Sequence, residues 1–260
     1  MTAYDYITYR AEGPVGILTL NRPDKLNAWL PEMTAELVDA IEAGNDDRSI
    51  GAFVITGAGR GFCAGADIES VFKSQADGKS DATQPRKHRD WNEVVRDAKP
   101  IVAAVNGPAI GLGLTLILSM DRIVAANEAK LSCRFVKMGI TPELASTRWL
   151  VQRCGWGTAN DLCLSGRTID GVEAARIGLV DEAVPGVSLM ETAWARANEY
   201  AANPSPQLRL IKRLLTQNSV EADLSIIQRR EGQALKEAFV TPEHHEAINA
   251  FMEKRPPVFR

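Results

Sequence analysis

Apolar and polar positions along this chain fall into two regimes. Nearly continuous apolar runs occupy residues 15–20, 52–56 and 101–105, each closed by turn-forming Gly, Pro, Asn or Asp. Runs of that length between turn residues predict buried strands. Elsewhere the period lengthens. In residues 31–43, Met33, Leu37, Ala40 and Ile41 share one helical face, with Gly44 and Asn45 as the expected stop. Residues 89–98 predict a helix leading into the strand at 101–105. Residues 113–120 predict a fully buried helix, and 121–126 return as a strand. Strand, turn and helix recur about three times before residue 126, too irregularly for a sequence repeat but in the manner of a spiral. Residues 73–88, rich in Lys, Asp, Gln, Ser and Gly, predict a surface excursion. Beyond Gly155 the pattern is mainly helical. Asn203-Pro-Ser-Pro206 divides that part, and residues 207–217 and 224–239 are amphipathic. A boundary near residue 200 is expected between a core (1–200) and a helical C-terminal region (201–260).

Composition narrows the function classes. A chain of 260 residues can bury a sizeable core. Its net charge of −3 gives no broad basic field, so neither nucleic acid nor an anionic membrane is an expected partner. Cys63, Cys133, Cys154 and Cys163 form no CxxC pair and the histidines do not cluster, so neither a metal site nor a disulfide framework is expected. Residues 109–120 are too short to span a bilayer, and the first residues lack the parts of a signal peptide. The expectation is a cytoplasmic protein.

The chemistry is concentrated in two turns. Ala52-Phe-Val-Ile-Thr-Gly-Ala-Gly-Arg-Gly-Phe-Cys-Ala-Gly-Ala-Asp-Ile-Glu69 and Val105-Asn-Gly-Pro-Ala-Ile-Gly-Leu-Gly-Leu114 each run from an apolar strand through small residues into a predicted helix. N–H groups at a helix start lack intrahelical partners and can bind an anion or a developing oxyanion. Two such turns converging on one point would supply two donors.

With Asn21-Arg-Pro-Asp-Lys-Leu-Asn-Ala28, Asp170-Gly-Val-Glu-Ala-Ala-Arg-Ile-Gly-Leu-Val180 and Ala250-Phe-Met-Glu-Lys254, these turns resemble the crotonase superfamily of enoyl-CoA hydratases and isomerases over nearly the whole chain. The resemblance implies an α/β fold, the crotonase (ClpP/crotonase-like) spiral of ββα units, with a helical C-terminal trimerisation region. It implies an acyl-CoA thioester substrate, coenzyme A being part of that substrate rather than a separate cofactor, and a homotrimer or dimer of trimers. On the matching positions it makes the backbone N–H groups of Ala66 and Leu112 the oxyanion hole. It assigns coenzyme A contacts to Arg22, Lys25 and Leu26 of the first turn, to the carbonyl of Ala64, and to Asp67 and Ile68. Arg22 and Lys25 are then phosphate partners, against the alternative of solvated turn charges. Phe251 and Lys254 resemble tail residues that reach coenzyme A, often from a neighbouring subunit; a core role is the alternative for Phe251.

The reaction depends on the acids around the hole. Hydration needs a held, deprotonated water and a proton for C2, tasks given to two glutamates in the hydratases this chain resembles. Those positions hold Thr115 and Phe135, which are no acid–base pair near neutral pH. Glu143, in Met138-Gly-Ile-Thr-Pro-Glu-Leu-Ala-Ser146, matches the single catalytic glutamate of peroxisomal-type Δ3,Δ2-enoyl-CoA isomerases. Trp29, Phe72, Trp91, Phe135 and Met138 are candidate acyl-pocket walls. Thr141-Pro-Glu143 also reads as a helix start, threonine as N-cap and the acid complementing the dipole, which alone would account for a glutamate. Other readings are a hydratase or thioester hydrolase using Glu143 differently, a dehalogenase with His88 as base, and a non-catalytic acyl-CoA binder.

Overall fold

The computed structural model describes residues 4–72 and 89–260. The predicted apolar runs lie side by side in one six-stranded sheet. β1 (Ile7–Glu12) and β2 (Val15–Leu20) form an antiparallel hairpin. From β2 onward the sheet is parallel, running through β3 (Ala52–Gly57), β4 (Ile101–Val105), β6 (Arg122–Ala126) and β9 (Glu182–Val184). Every residue of β3 and β4 is buried, the condition in which a strand reads as one apolar run rather than an alternation. Helix α1 (Pro31–Asp46) packs on β1 and β2, and α6 (Leu189–Ala201) lies against β3 and β4. The buried residues of α6 include Ala193, Ala197 and Ala201, spaced to make one small-residue stripe that lets the helix approach the sheet closely.

A second, three-stranded sheet lies alongside. β5 (Ala109–Ile110) pairs in parallel with β7 (Lys130–Ser132), which pairs antiparallel with β8 (Thr168–Asp170). Cys63 adds a parallel bridge to Ala109. Strands β3, β4 and β6 are therefore each followed by a short extended piece in this second layer. Three helical elements follow these turns: α2 (Trp91–Asp97), α3 (Leu112–Thr115) and, after β7, α4 (Ser146–Ser165). The expected α/β spiral with a helical C-terminal region is the observed architecture.

The elements differ from expectation in several places. Helix α1 runs through Gly44 to Asp46, because Gly44 is a packing residue, not a stop: a Cβ there would lie 2.6 Å from the Phe53 ring. The helix expected over 113–120 is only α3, and the chain continues in tight turns in which Ile117 bonds back to Leu114 and Met120 to Ile117. Leu114, Leu116, Ile117 and Leu118 are all buried, so no polar face marked where regular helix would end. Strands β8 and β9, three residues each, carry no detectable alternation in a stretch expected to be helical. The predicted excursion at 73–88 falls outside the described residues.

The tail comprises α7 (Ser205–Asn218), α8 (Leu224–Phe239) and α9 (Pro242–Glu253), with α5 (Gly171–Arg176) earlier in the chain. Lys212 ties α7 to the core: its buried Nζ donates to the carbonyls of Val95 and Ala98 and pairs with Asp121 at 2.7 Å. Burial pushes its pKa down while Asp121 opposes the shift. Among the described residues no helix is long and apolar enough to cross a membrane, and no His, Cys, Asp and Glu side chains gather as a metal site.

Candidate active site

The two glycine-rich turns meet backbone to backbone at the carboxyl ends of β3 and β4. Cys63 N donates to Pro108 O at 2.8 Å, and Ile110 N donates to Cys63 O at 3.0 Å. Gly113 makes this approach possible, since a Cβ there would lie 2.1 Å from the Cys63 carbonyl oxygen. Gly65, at φ +102°, adopts a backbone conformation that L side chains rarely take and faces the Ile110 carbonyl.

Between these contacts lie the two expected donors. The parallel bridge at Trp29 uses Trp29 N to Gly65 O and Asp67 N to Trp29 O, so it passes over the Ala66 N–H. Leu112 is the first residue of α3, where an N–H has no intrahelical acceptor. Among the described residues neither N–H has a backbone acceptor. Main-chain donors in a frame this rigid can stabilise charge developing on a thioester oxygen without first reorganising.

Two asparagines stiffen the frame. Asn27 is fully buried at φ +56°, and its Nδ2 donates to the carbonyls of Ala58 and Gly61. Its Oδ1 accepts from Arg22 N within the 21–28 turn, so the one side chain both closes that turn and, through Nδ2, ties it to the 58–61 turn. Asn106 bonds both the N–H and the carbonyl of Gly57 and also reaches Gly59 O.

A cavity of about 310 Å³ opens beside Leu112, lined by Trp29, Pro31, Thr34, Ala35, Arg89, Trp91, Leu116, Glu143 and Leu144. The indole N–H of Trp29 is anchored on Thr34 Oγ1 at 2.7 Å and that of Trp91 on Leu116 O at 2.8 Å. These rings therefore hold fixed positions. Of the expected walls, Trp29 and Trp91 line the cavity. Phe135 is buried instead beneath Gly111, where its ring would be 3.9 Å from an added Cβ, and Met138 is exposed. The side chain of Phe72 and all of His88 lie outside the described residues. The α1 contributions, Pro31, Thr34 and Ala35, were missed. They share a helical face adjoining the one carrying Met33 and Leu37, and that spacing was the available signal.

Glu143 is the one carboxylate on the cavity wall among the described residues, and it is solvent-exposed. Thr115, at one of the positions where hydratases resembling this chain carry glutamate, is buried and its hydroxyl donates to Leu112 O at 3.2 Å. The helix start expected at Thr141 is absent. α4 begins at Ser146, and Thr141 to Glu143 precede it in irregular chain. Between them Leu144 (φ +54°) and Ala145 (φ +52°) stand consecutively in the left-handed region, at a cost of roughly 1–2 kcal/mol each. Glu143 is thus not in the first turn of a helix, and dipole complementation does not account for it. Local hydrogen bonds hold the strained pair. Ser146 N donates to Glu143 O, Asn92 Nδ2 to Leu144 O, and Arg148 N to Ala145 O. At about 1 kcal/mol net per bond, they are of the same size as the strain.

The coenzyme A residues divide. Arg22 donates to Ala28 O and pairs with Asp67 at 3.0 Å, both side chains mostly buried. Its hydrogen bond holds the Asp67 carboxyl below the usual carboxylate range. The guanidinium is therefore a clasp between the first two turns, and Lys25 is left as the exposed cation there. Leu26 (φ +49°) accepts from Ala64 N at 3.0 Å, and Ile68 is exposed beside the turn. Phe251 and Lys254 lie at the end of α9 and are not among the residues lining the cavity beside Leu112. Arg260 lies against Gly51, at the amino end of β3, and Glu246 of α9 lines a cavity there with Lys99. The length of β3, roughly 20 Å, separates that end from the glycine turns. Phe251 is 81% exposed, which excludes a core role in this chain. Cys63, adjoining the hole, is buried and its thiol is pushed up to about 11 by desolvation, so it is no nucleophile near neutral pH.

Known proteins share this organisation. Residues 10–260 match the family described as enoyl-CoA hydratase/isomerase. The 1,2-epoxyphenylacetyl-CoA isomerase of Escherichia coli K12 is 35% identical, over 98% of each chain. The 2,3-dehydroadipyl-CoA hydratase of the same organism is 34% identical over 94% of each. A solved enoyl-CoA hydratase subunit I from Geobacillus kaustophilus superposes with a TM-score of 0.86 at 34% identity, covering 100% of this chain and 99% of that one. With the two glycine turns joined through main chain, a cavity beside them and a family match over residues 10–260, the chain belongs to the enoyl-CoA hydratase/isomerase family of the crotonase superfamily.

Proposed function

We propose that this protein isomerises a 3-enoyl-CoA to the conjugated 2-enoyl-CoA, with Glu143 as its single acid–base group. The observation that carries the reading is that Glu143 lines the same cavity as Leu112, while Thr115 and Phe135 stand where hydratases resembling this chain hold glutamates. Glu143 takes a proton from C2 of the bound thioester. The electron pair spreads over C2, C3 and C4 into the carbonyl oxygen, which sits between the N–H groups of Ala66 and Leu112. The protonated acid then returns the proton to C4, leaving the double bond at C2–C3. No atom is gained or lost, and no water takes part in the step. Ala64, Lys25, Leu26, Asp67 and Ile68 frame the coenzyme A path, with Arg22 holding that frame together.

The test is an ultraviolet assay of purified protein on 3-hexenoyl-CoA and, separately, 2-hexenoyl-CoA. Conjugation appearing in the first without hydration in the second is expected. Glu143→Gln is expected to lower kcat by at least 10²-fold, in keeping with a positioned acid–base group. Hydration of 2-hexenoyl-CoA at the faster rate, or full activity of Glu143→Gln, sinks the isomerase reading. Acyl-CoA binding without turnover of either substrate makes the protein a binder.

The same reading makes residues 201–260 a trimerisation region. Leu215, Phe239, Ile248, Phe251 and Met252 expose apolar surface there that another chain would cover. Light scattering is expected to give the mass of three or six chains, and a monomer refutes it.

A further inference from the structure

We infer that Asn92 is a positioning residue for Glu143, setting the acid by holding the strained loop next to it; this rests on Glu143 being the acid–base group. Asn92 is the second residue of helix α2, where its own N–H is capped by the Asp90 carboxylate at 3.0 Å. That leaves the side-chain amide to face the neighbouring loop. Its Nδ2 donates to Leu144 O at 3.0 Å, and its Oδ1 accepts from Trp149 Nε1 at 3.1 Å. An indole N–H only donates and a carbonyl only accepts, so the amide has one orientation that satisfies both.

The two bonds straddle the loop. One grips the carbonyl between Leu144 and Ala145, the two residues held at positive φ. The other grips the first turn of α4, just beyond them. The Arg148 guanidinium lies over the Trp149 ring, 5.2 Å from its centre. Arg148 is in turn fixed to Thr216 O and Ser219 Oγ at the end of α7. Without the donor to Leu144 the left-handed pair is free to relax toward ordinary backbone, and Glu143, one residue earlier, moves with it. Among the described residues Asn92 is hydrogen-bonded to Asp90, Leu144 and Trp149 and not to the turns that frame coenzyme A, so capture of the thioester is expected to be unaffected while the proton transfer loses its alignment.

The experiment measures kcat and KM on 3-hexenoyl-CoA for wild type, Asn92→Leu, Glu143→Gln and the double variant. Asn92→Leu is expected to lower kcat roughly 10- to 100-fold, the range for a misplacement near 1 Å, with KM changed less than threefold. In the Glu143→Gln background the same change is expected to have no further effect on kcat, because the group it positions is already gone. Asn92→Asp keeps the size and the Trp149 bond but loses the donor to Leu144, and serves with the same expectation should the leucine variant not fold. A kcat within twofold of wild type for both Asn92 variants overturns the inference, as does a fall in kcat that multiplies with that of Glu143→Gln. If Glu143→Gln itself retains full activity, the acid–base reading has failed first and Asn92 has nothing to position.

Discussion

Gly113→Ala tests the frame independently of which reaction it serves. The added methyl would lie 2.1 Å from the Cys63 carbonyl oxygen and 2.8 Å from Cys63 Cβ, where real Cβ contacts begin at about 3.0 Å. The first obstacle is main chain and cannot rotate away, so the two turns must separate by about 0.9 Å. The shift falls between Ala66 on one turn and Leu112 on the other. Losing one oxyanion donor costs roughly 10²–10³ in kcat, about 2.7–4 kcal/mol of transition-state stabilisation. Forcing a methyl into packed main chain costs a further 1–3 kcal/mol or so in stability. Steady-state kinetics with the thioester that the protein turns over, measured well below the thermal midpoint, separates these effects. The control is Gly232→Ala in α8, where an added Cβ meets nothing within 4 Å. It should leave kcat unchanged and add roughly 0.5–1 kcal/mol of stability. A Gly113→Ala protein that folds and keeps kcat within threefold of wild type would show that the contact does not set the hole.

Arg22→Ala removes a mostly buried charged pair and is expected to lower unfolding free energy by about 1.5–3 kcal/mol, read from urea midpoints. Arg22→Lys should not restore it, because one ammonium lacks the fork that reaches both Asp67 and Ala28 O. Since Asp67 has its folded pKa depressed, the loss should be full above the ordinary carboxylate range and shrink as the medium is acidified. Glu246 accepts from Arg255 and from Val258 N, bonds that hold its pKa at about 2 against 4.5 when unperturbed. The melting-temperature gap between wild type and Glu246→Gln should therefore be constant above pH 5 or so and close between pH 4.5 and 2. An equal gap at pH 6 and pH 2.5 would refute that assignment.

Legibility followed the physics of each element. β3 and β4 were readable because burial of every residue leaves an unbroken apolar run. β8 and β9 were not, being three residues long and defined by pairing partners far along the chain. Glycines announced the oxyanion turns because only they tolerate the close main-chain approach at Cys63. The loop beside Glu143 gave no such sign. Its left-handed residues are Leu144 and Ala145, so the sequence read as a helix start four residues early, and the bonds that hold the conformation include a tertiary one from Asn92 that no local pattern announces. Arg22 stood in the right segment, but a charge in a turn does not reveal that its partner is Asp67, forty-five positions away.

Hole and acid hang from different supports. The proposed hole is made of main chain, fixed by Asn27, Asn106 and the Cys63 contact; the proposed acid depends on a loop held by the Asn92 side chain of α2 and by main-chain bonds from the first turn of α4. Thioester capture and choice of proton chemistry can therefore diverge separately. On the proposed assignment, a substitution in the 143–149 segment alters the proton chemistry with the donor pair undisturbed, whereas a change that parts the glycine turns weakens every reaction the hole serves. Such a division lets a single scaffold be retuned one carboxylate at a time.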